Sequence, residues 1–282
     1  MNIWAEAANL SEKAEKFKAL HQGDKAFVLP NPWDIGSAKM LAALGFEALA
    51  TTSAGFAFSS GKGTSIGEIS RREALDHAAE IIAAIPLPVS ADLENGYGDA
   101  PETVAETVRL AAEIGLAGCT IEDTTGDRDN PIYDRTLAIE RIAAAAEAVA
   151  KLDRPFMLTA RAENYLFGRP DFDDTLARLK GYEAVGADVL YAPGLPDLET
   201  ISEVCCSVSR PVNVVAGIGL PGVTLVELEK AGVRRISAGS AFARIAYGAM
   251  IDAATEIQKT GSFAPFKSAA SFTSLERLIK SV

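Results

Sequence analysis

One pattern limits what this chain can fold into more than any other: a short apolar β-type run followed by a helical stretch, repeated along its 282 residues. The apolar runs are Ala26–Leu29, Ala48–Thr52, Pro88–Asp92, Ala117–Ile121, Phe156–Ala160, Val189–Tyr191, Val212–Val215 and Arg235–Ala238. Amphipathic stretches such as Ile35–Leu44, Arg71–Ala84, Pro101–Ile114, Leu137–Leu152, Phe172–Val185, Asp197–Ser207 and Gly222–Ala231 lie between them. Asp34, and Asp99 with Pro101 and Glu102, have the form of helix starts. Gly45, Gly115, Gly186 and Gly232 follow the last apolar residue of a helical stretch, where a left-handed exit is expected.

Eight strand–helix units are the bookkeeping of a closed parallel barrel. Strands without strict polar alternation fit burial on both faces. The competing solution, an open doubly wound sheet, lacks its G-x-G-x-x-G after the first strand. The expectation is a (β/α)8 barrel of the TIM type occupying 1–282 as one domain. Residues 263–282 form a C-terminal extension with a last helix over Ser271–Ile279.

Such a barrel builds its active site from strand C-terminal ends, so the polar residues that terminate apolar runs carry the information. The third run ends in Asp92-Leu93-Glu94-Asn95-Gly96-Tyr97-Gly98. Asp92 and Glu94 are two apart, on one side of an extended chain, and two carboxylates together need a cation or a shared proton. The fourth run ends in Glu122-Asp123, at the next strand. Neighbouring strands lie about 5 Å apart, so Asp92, Glu94 and Glu122 can converge as oxygen ligands for a hard cation. A solvated acidic loop or a rim ion-pair network is the alternative. The fifth run ends in Arg161, followed by Glu163. A guanidinium there can grip a substrate carboxylate or pair with Glu163 or Glu122. The second run ends in Thr51-Thr52-Ser53-Ala54-Gly55, small residues whose backbone can approach a ligand oxygen or merely turn. Gly217-Ile218-Gly219 and Ala238-Gly239-Ser240 stand where many barrels bind phosphate, and read first as tight turns.

The net charge of −11 disfavours nucleic acid and anionic membranes as partners. Cys119, Cys205 and Cys206 have no disulfide or metal spacing, and the N-terminal stretch has no apolar signal core, so a cytoplasmic protein is expected.

TTSAG (51–55), DLENGYG (92–98), IEDTTGD (121–127) and TARAEN (159–164), in this order, resemble the phosphoenolpyruvate mutase / isocitrate lyase superfamily over roughly residues 15 to 255. The resemblance implies an enzyme using Mg²⁺, with Mn²⁺ as a substitute, on 2-oxo or 2-hydroxy acids through an enolate. It implies Asp92, Glu94 and Glu122 as metal ligands, direct or through water, and Arg161 as the substrate-carboxylate clamp. Ser53, Ala54 and Gly55 would be donors to substrate oxygens, with Asp92 also at the substrate. The segment Thr124–Tyr133 resembles the family's gating loop, on which Arg128 and Asn130 would reach the substrate. Homo-oligomers, dimers or tetramers, in which the C-terminal helix swaps between neighbours, are also implied.

The sequence departs from the family pattern in three places. The gating loop lacks the K-[KR]-C-G-H cysteine of isocitrate lyases, Tyr191-Ala192-Pro193 replaces a histidine near the sixth strand end, and Thr64 stands for an aspartate. Cys119, inside a strand, reads as a core residue, and His21 and His77 as bystanders. The expected function is a Mg²⁺-dependent lyase or decarboxylase acting on a small 2-oxo (or 2-hydroxy) dicarboxylic acid. Phosphoenolpyruvate mutase or phosphonopyruvate hydrolase chemistry at a P–C bond is one alternative; a non-catalytic 2-oxo-acid-binding protein is another.

Overall fold

The computed structural model describes residues 3–217 and 220–282. Met1, Asn2, Ile218 and Gly219 lie outside it, and with them part of the N-terminal reading and of the Gly217-Ile218-Gly219 turn. Eight strands form one sheet: β1 (Phe27–Leu29), β2 (Leu49–Ala50), β3 (Val89–Asp92), β4 (Gly118–Glu122), β5 (Met157–Arg161), β6 (Val189–Tyr191), β7 (Val212–Val215) and β8 (Arg235–Ser237). The helices are α1 (Ile3–Gln22), α2 (Ile35–Ala43), α3 (Ser53–Ser59), α4 (Arg71–Ala84), α5 (Pro101–Glu113), α6 (Arg135–Ala150), α7 (Phe172–Ala184), α8 (Leu198–Ser207), α9 (Leu225–Lys230), α10 (Ala241–Thr260) and α11 (Phe272–Lys280).

Every strand pair is parallel, in the order β1-β8-β7-β6-β5-β4-β3-β2. The two end strands also meet: Ala50 N–H donates to the Pro30 carbonyl at 3.1 Å, and Asn31 Nδ2 to the Thr51 carbonyl at 3.0 Å. The sheet therefore curls into the expected barrel, with helices outside and a core of aliphatic side chains between the two layers.

Local chemistry sets the helix ends. Asp34 and Ser37 form a reciprocal cap on α2, and Ser70 and Glu73 one on α4. The four anticipated glycine exits adopt left-handed φ, from 91° at Gly45 to 109° at Gly186, where any other residue would be strained. At α5 the expected start is displaced by one residue. Ala100 is the N-cap, whose methyl has no acceptor to offer, and the Asp99 carboxylate before it accepts instead from the Tyr133 hydroxyl at 2.6 Å. The turn at Ala238 uses its N–H internally, donating to Asn31 Oδ1 at 2.9 Å.

Helices α1 and α3 have no counterpart in the sequence pattern. Phe17 and Leu20 of α1 pack with Phe27, Ala48, Ala117, Met157 and Val189, all at strand beginnings, so α1 seals the N-terminal end of the barrel. His21 belongs to this seal, edge-on to Phe17 and Phe27 and hydrogen-bonded to the Phe17 carbonyl at 2.7 Å. The opposite end remains open. Beyond the barrel, α10 leads through a 3-10 turn at Ala264–Ser268 to α11, capped by Ser271 and packed on α2. No helix among the described residues is long and apolar enough to cross a membrane.

Candidate active site

Asp92 ends β3 with its side chain already engaged. Ser53 donates to Asp92 Oδ2 twice, from its backbone N–H at 3.0 Å and from its hydroxyl at 2.7 Å. Thr51 Oγ1 accepts from the Asp92 backbone N–H at 3.1 Å. The other oxygen, Oδ1, is buried with no partner. The small-residue segment, read either as a backbone approach to a ligand oxygen or as a tight turn, leads into the first turn of α3, because Thr52 Oγ1 accepts from Gly55 N–H and caps it. Gly55 thus spends its N–H on the cap, and a Cβ there would lie 2.6 Å from Thr52 Cγ2. Ala54 lines the cleft.

The loop after β3 is unusual in its backbone. Glu94 (φ 48°) and Tyr97 (φ 63°) are both left-handed without being glycine, which costs on the order of 1 kcal/mol each. A buried arginine from α6 holds them there. Arg141 donates to the Gly98 and Asp99 carbonyls at 2.6 Å, contacts the Asn95 carbonyl, and lies 4.1 Å from the Tyr133 ring centre. Glu94 is thereby held with Oε2 buried and unpartnered.

The next two strands set the opposite side. Glu122 and Arg161 are partners in the β4–β5 register, with Arg161 Nη1 3.2 Å from Glu122 Oε2. Arg161 Nε contacts Oε1 of Glu163, a wholly buried carboxylate, and its guanidinium carbon lies 5.0 Å from the Tyr191 ring centre. Both ion pairs weighed from the sequence therefore form. Asp123, adjacent in sequence, leaves the site: it accepts from Arg178 at 2.9 Å, Tyr182 at 2.7 Å and the Glu163 N–H at 2.8 Å.

Four carboxyl groups thus face one guanidinium in a poorly solvated space. Burial, reinforced by Asp92, pushes Glu94 up to about 8. Burial pushes Glu163 up to about 7 against the pull of Arg161, and raises Glu122 well above the ordinary carboxylate range. Burial works against the Arg161 charge too, but Glu163 and Glu122 outweigh it and keep Arg161 protonated. A cluster with this excess of acid is relieved by protons or by a cation.

Above these groups opens a cleft of about 580 Å³. Arg128 lines it, as do Thr64, Ser65 and Ile66 from the segment after α3. Asn130 does not line it: the residue is exposed and its carbonyl accepts from the Thr125 hydroxyl. Glu163, Leu166 and Phe167 also line the cleft, as residues the sequence reading did not assign to the site. No cysteine or histidine lines it. Cys119 is fully buried, with burial raising its thiol; Cys205 is half-buried and Cys206 exposed; His77 stacks on Phe56 at 3.9 Å.

Among the described residues no three His, Cys, Asp or Glu side chains are gathered closely enough to form a ready-made metal cage. The bare Asp92 Oδ1 and Glu94 Oε2 nevertheless fit a Mg²⁺-type ion, which keeps several waters and takes one or two carboxylates directly.

Comparison with known proteins decides the family. The sequence profile of phosphoenolpyruvate phosphomutase matches residues 17–258. The chain belongs to this family. Three relatives place it further. A crystal structure from Burkholderia cenocepacia J2315, whose lyase/mutase activity is itself inferred, is 54% identical, covers 96% of each chain and superposes with a TM-score of 0.92. An oxaloacetate decarboxylase of Marinomonas sp. is 28% identical over 205 residues, 71% of this chain and 69% of the relative. The 2,3-dimethylmalate lyase of Eubacterium barkeri is 27% identical over 254 residues, 87% of this chain and 86% of the relative. Both relatives are named for a small dicarboxylic acid, oxaloacetate in one case and 2,3-dimethylmalate in the other.

Proposed function

We propose that the chain is a Mg²⁺-dependent carbon–carbon lyase or decarboxylase acting on a small 2-oxo or 2-hydroxy dicarboxylic acid. The observation that carries this reading is Arg161, protonated and buried beside four carboxyl groups, three of which (Asp92, Glu94 and Glu163) have a buried oxygen without a hydrogen-bond partner. Asp92, Glu94 and Glu122 would hold the ion, which supplies positive charge where negative charge grows on the substrate oxygen. Mn²⁺, another hard ion, suits the same oxygens. Arg161 has five N–H donors. Glu122 and Glu163 engage one each, leaving the others for a substrate carboxylate. Ser53 fixes the rotation of Asp92 and so decides which oxygen stays bare. Arg128 brings a second positive charge over the cleft.

In a 2-hydroxy diacid, cleavage breaks the C2–C3 bond. The hydroxyl proton leaves, its oxygen becomes the oxo group of one fragment, and the bond pair stays on C3, which then takes up a proton. In a 2-oxo diacid the distal carboxylate leaves as CO₂ and the pair spreads onto the oxo oxygen before C3 is protonated. Both outcomes need a carboxylate clamp and stabilised oxyanion character, and neither needs a thiol or imidazole. At the sixth strand end Tyr191 packs on Arg161, where phosphonate-forming relatives would carry histidine, which favours C–C over P–C chemistry.

Turnover of oxaloacetate and 2,3-dimethylmalate, with and without a chelator, tests the reading. Activity should require added Mg²⁺ and vanish in Asp92→Asn with the fold retained. Full activity in excess chelator refutes the metal assignment.

The same reading extends to assembly. Ile245, Met250 and Ile251 of α10 are 57–68% exposed, and Phe272 of α11 is 89% exposed. Apolar surface of this extent marks a contact, and a second copy of this chain is the proposed partner, in a dimer or tetramer.

A further inference from the structure

The cleft has two unlike parts. Its floor is the charged set described above, which suffices to hold a diacid. Its outer wall, beside the polar Thr64, Ser65, Asp127 and Arg128, carries four apolar side chains: Ile66 from the segment after α3, Pro131 from the loop after β4, and Leu166 and Phe167 from the loop after β5. Leu166 is 50% and Phe167 44% exposed. Large apolar side chains paired on a loop and open to water gain nothing for folding, so this pair calls for an explanation beyond stability.

Size points the same way. A space of about 580 Å³ lies within the range that encloses drug-sized ligands, far more than a four-carbon diacid fills. The surrounding loops touch one another. Gly126 approaches Ile66 so closely that a Cβ on it would lie 2.9 Å from Ile66 Cβ. Arg169 Nη2 donates to the Asp129 carbonyl at 3.2 Å, tying the loop after β5 to the loop after β4. The apolar side chains thus come from three loops that already touch around one space.

Resting on the lyase reading above, we propose that the substrate is a 2-oxo or 2-hydroxy diacid carrying an unbranched alkyl chain of three or more carbons on C3. Its head lies on the charged floor and its tail against Ile66, Pro131, Leu166 and Phe167. This goes beyond the methyl-bearing substrate named for the dimethylmalate lyase relative. Bond cleavage is the same as for the unsubstituted acid, with the tail leaving on the fragment that is protonated at C3.

The test is a chain-length series. Oxaloacetate and malate are compared with their 3-methyl, 3-propyl and 3-pentyl derivatives in the presence of Mg²⁺, reading kcat/KM. Malonate and pentylmalonate, which cannot be cleaved in this way, are compared by calorimetry. Each methylene buried should raise kcat/KM about fourfold, so the four added from methyl to pentyl should give roughly two orders of magnitude or slightly more. Pentylmalonate should bind correspondingly tighter than malonate. Leu166→Ser and Phe167→Ser should each flatten the slope. Turnover of the short acids with a flat or falling dependence on chain length refutes the tail site and leaves the lyase reading standing. Absence of both turnover and malonate binding refutes the lyase reading itself, and the tail site with it.

Discussion

His21 at the sealed end of the barrel gives a quantitative test that needs no substrate. The imidazole is 3% exposed, lies between Phe17 and Phe27, and faces Arg235 Nη1 at 3.5 Å. Burial, then the Arg235 charge, lowers its pKa to about 3, against an ordinary value of 6.5. The unfolded chain therefore takes up a proton between pH 6.5 and 3 that the folded protein refuses. Stability from this group is fully present above pH 6.5 and falls as pH drops through that window. One and a half pH units below 6.5, at pH 5, the loss is about 2 kcal/mol. The buried carboxyls at the open end act in the opposite direction: with folded pKa values raised, as at Glu94, they favour the folded state as pH falls from 8 toward 4.5. The wild-type curve alone mixes the two effects, and the comparison with His21→Gln separates them. The variant loses aromatic edge contacts worth about 1 kcal/mol at pH 7.5. It should then lose about 2 kcal/mol less than wild type on going to pH 5, so the two stabilities converge or cross. Urea denaturation at both pH values measures this. Parallel curves would show that His21 titrates normally and that the seal is wetter than the geometry indicates.

At the open end, Arg161→Lys keeps the charge but loses the planar fork, so oxalate, a mimic of a pyruvate enolate, should compete at least tenfold less well against substrate than in wild type. Equal competition for both proteins would move the clamp to Arg128. Cys119→Ala should keep turnover within about tenfold, since a buried thiol far above neutrality is no nucleophile; a loss of several orders of magnitude with unchanged circular dichroism would contradict that. Arg141→Met leaves the carbonyls of Asn95, Gly98 and Asp99 without their donor, at a cost of about 3 kcal/mol. Metal affinity should drop with it because Glu94 is no longer held at positive φ, and an unchanged Mg²⁺ titration would refute that link.

The barrel and its polar rim are legible in the sequence because both depend on local periodicity. Each strand is an apolar run, and the residue that ends it faces the rim. The same period of two separates Glu122 from Asp123: consecutive residues point to opposite faces, so only one can join the cluster, and Asp123 turns instead to Arg178 and Tyr182. Glu163 could have been found by the rule that paired Asp92 with Glu94, since it lies two residues beyond Arg161. Arg141 and Arg235 left no such signal. Arg141 follows Glu140 on a helix and Arg235 follows Arg234 at the start of a strand, and the burial of each is decided by segments many residues away. Helix α3 was hidden by its composition, since seven small and aromatic residues have no clear helical periodicity and the helix depends on the Thr52 cap.

The pairing of Glu122 with Arg161 is written into the strand register. Their relative position is set by the hydrogen-bond ladder of a buried parallel sheet, which opens only when the barrel itself unfolds. Leu166, Phe167 and Arg128 sit outside that sheet, on loops held by a few local bonds such as the Thr124–Ile132 bridge, and loops move on nanosecond to microsecond scales. The reacting groups and the groups that choose what reacts are thus mechanically decoupled. Sequence change can remodel the choice of substrate while the bond-breaking geometry stays as rigid as the fold.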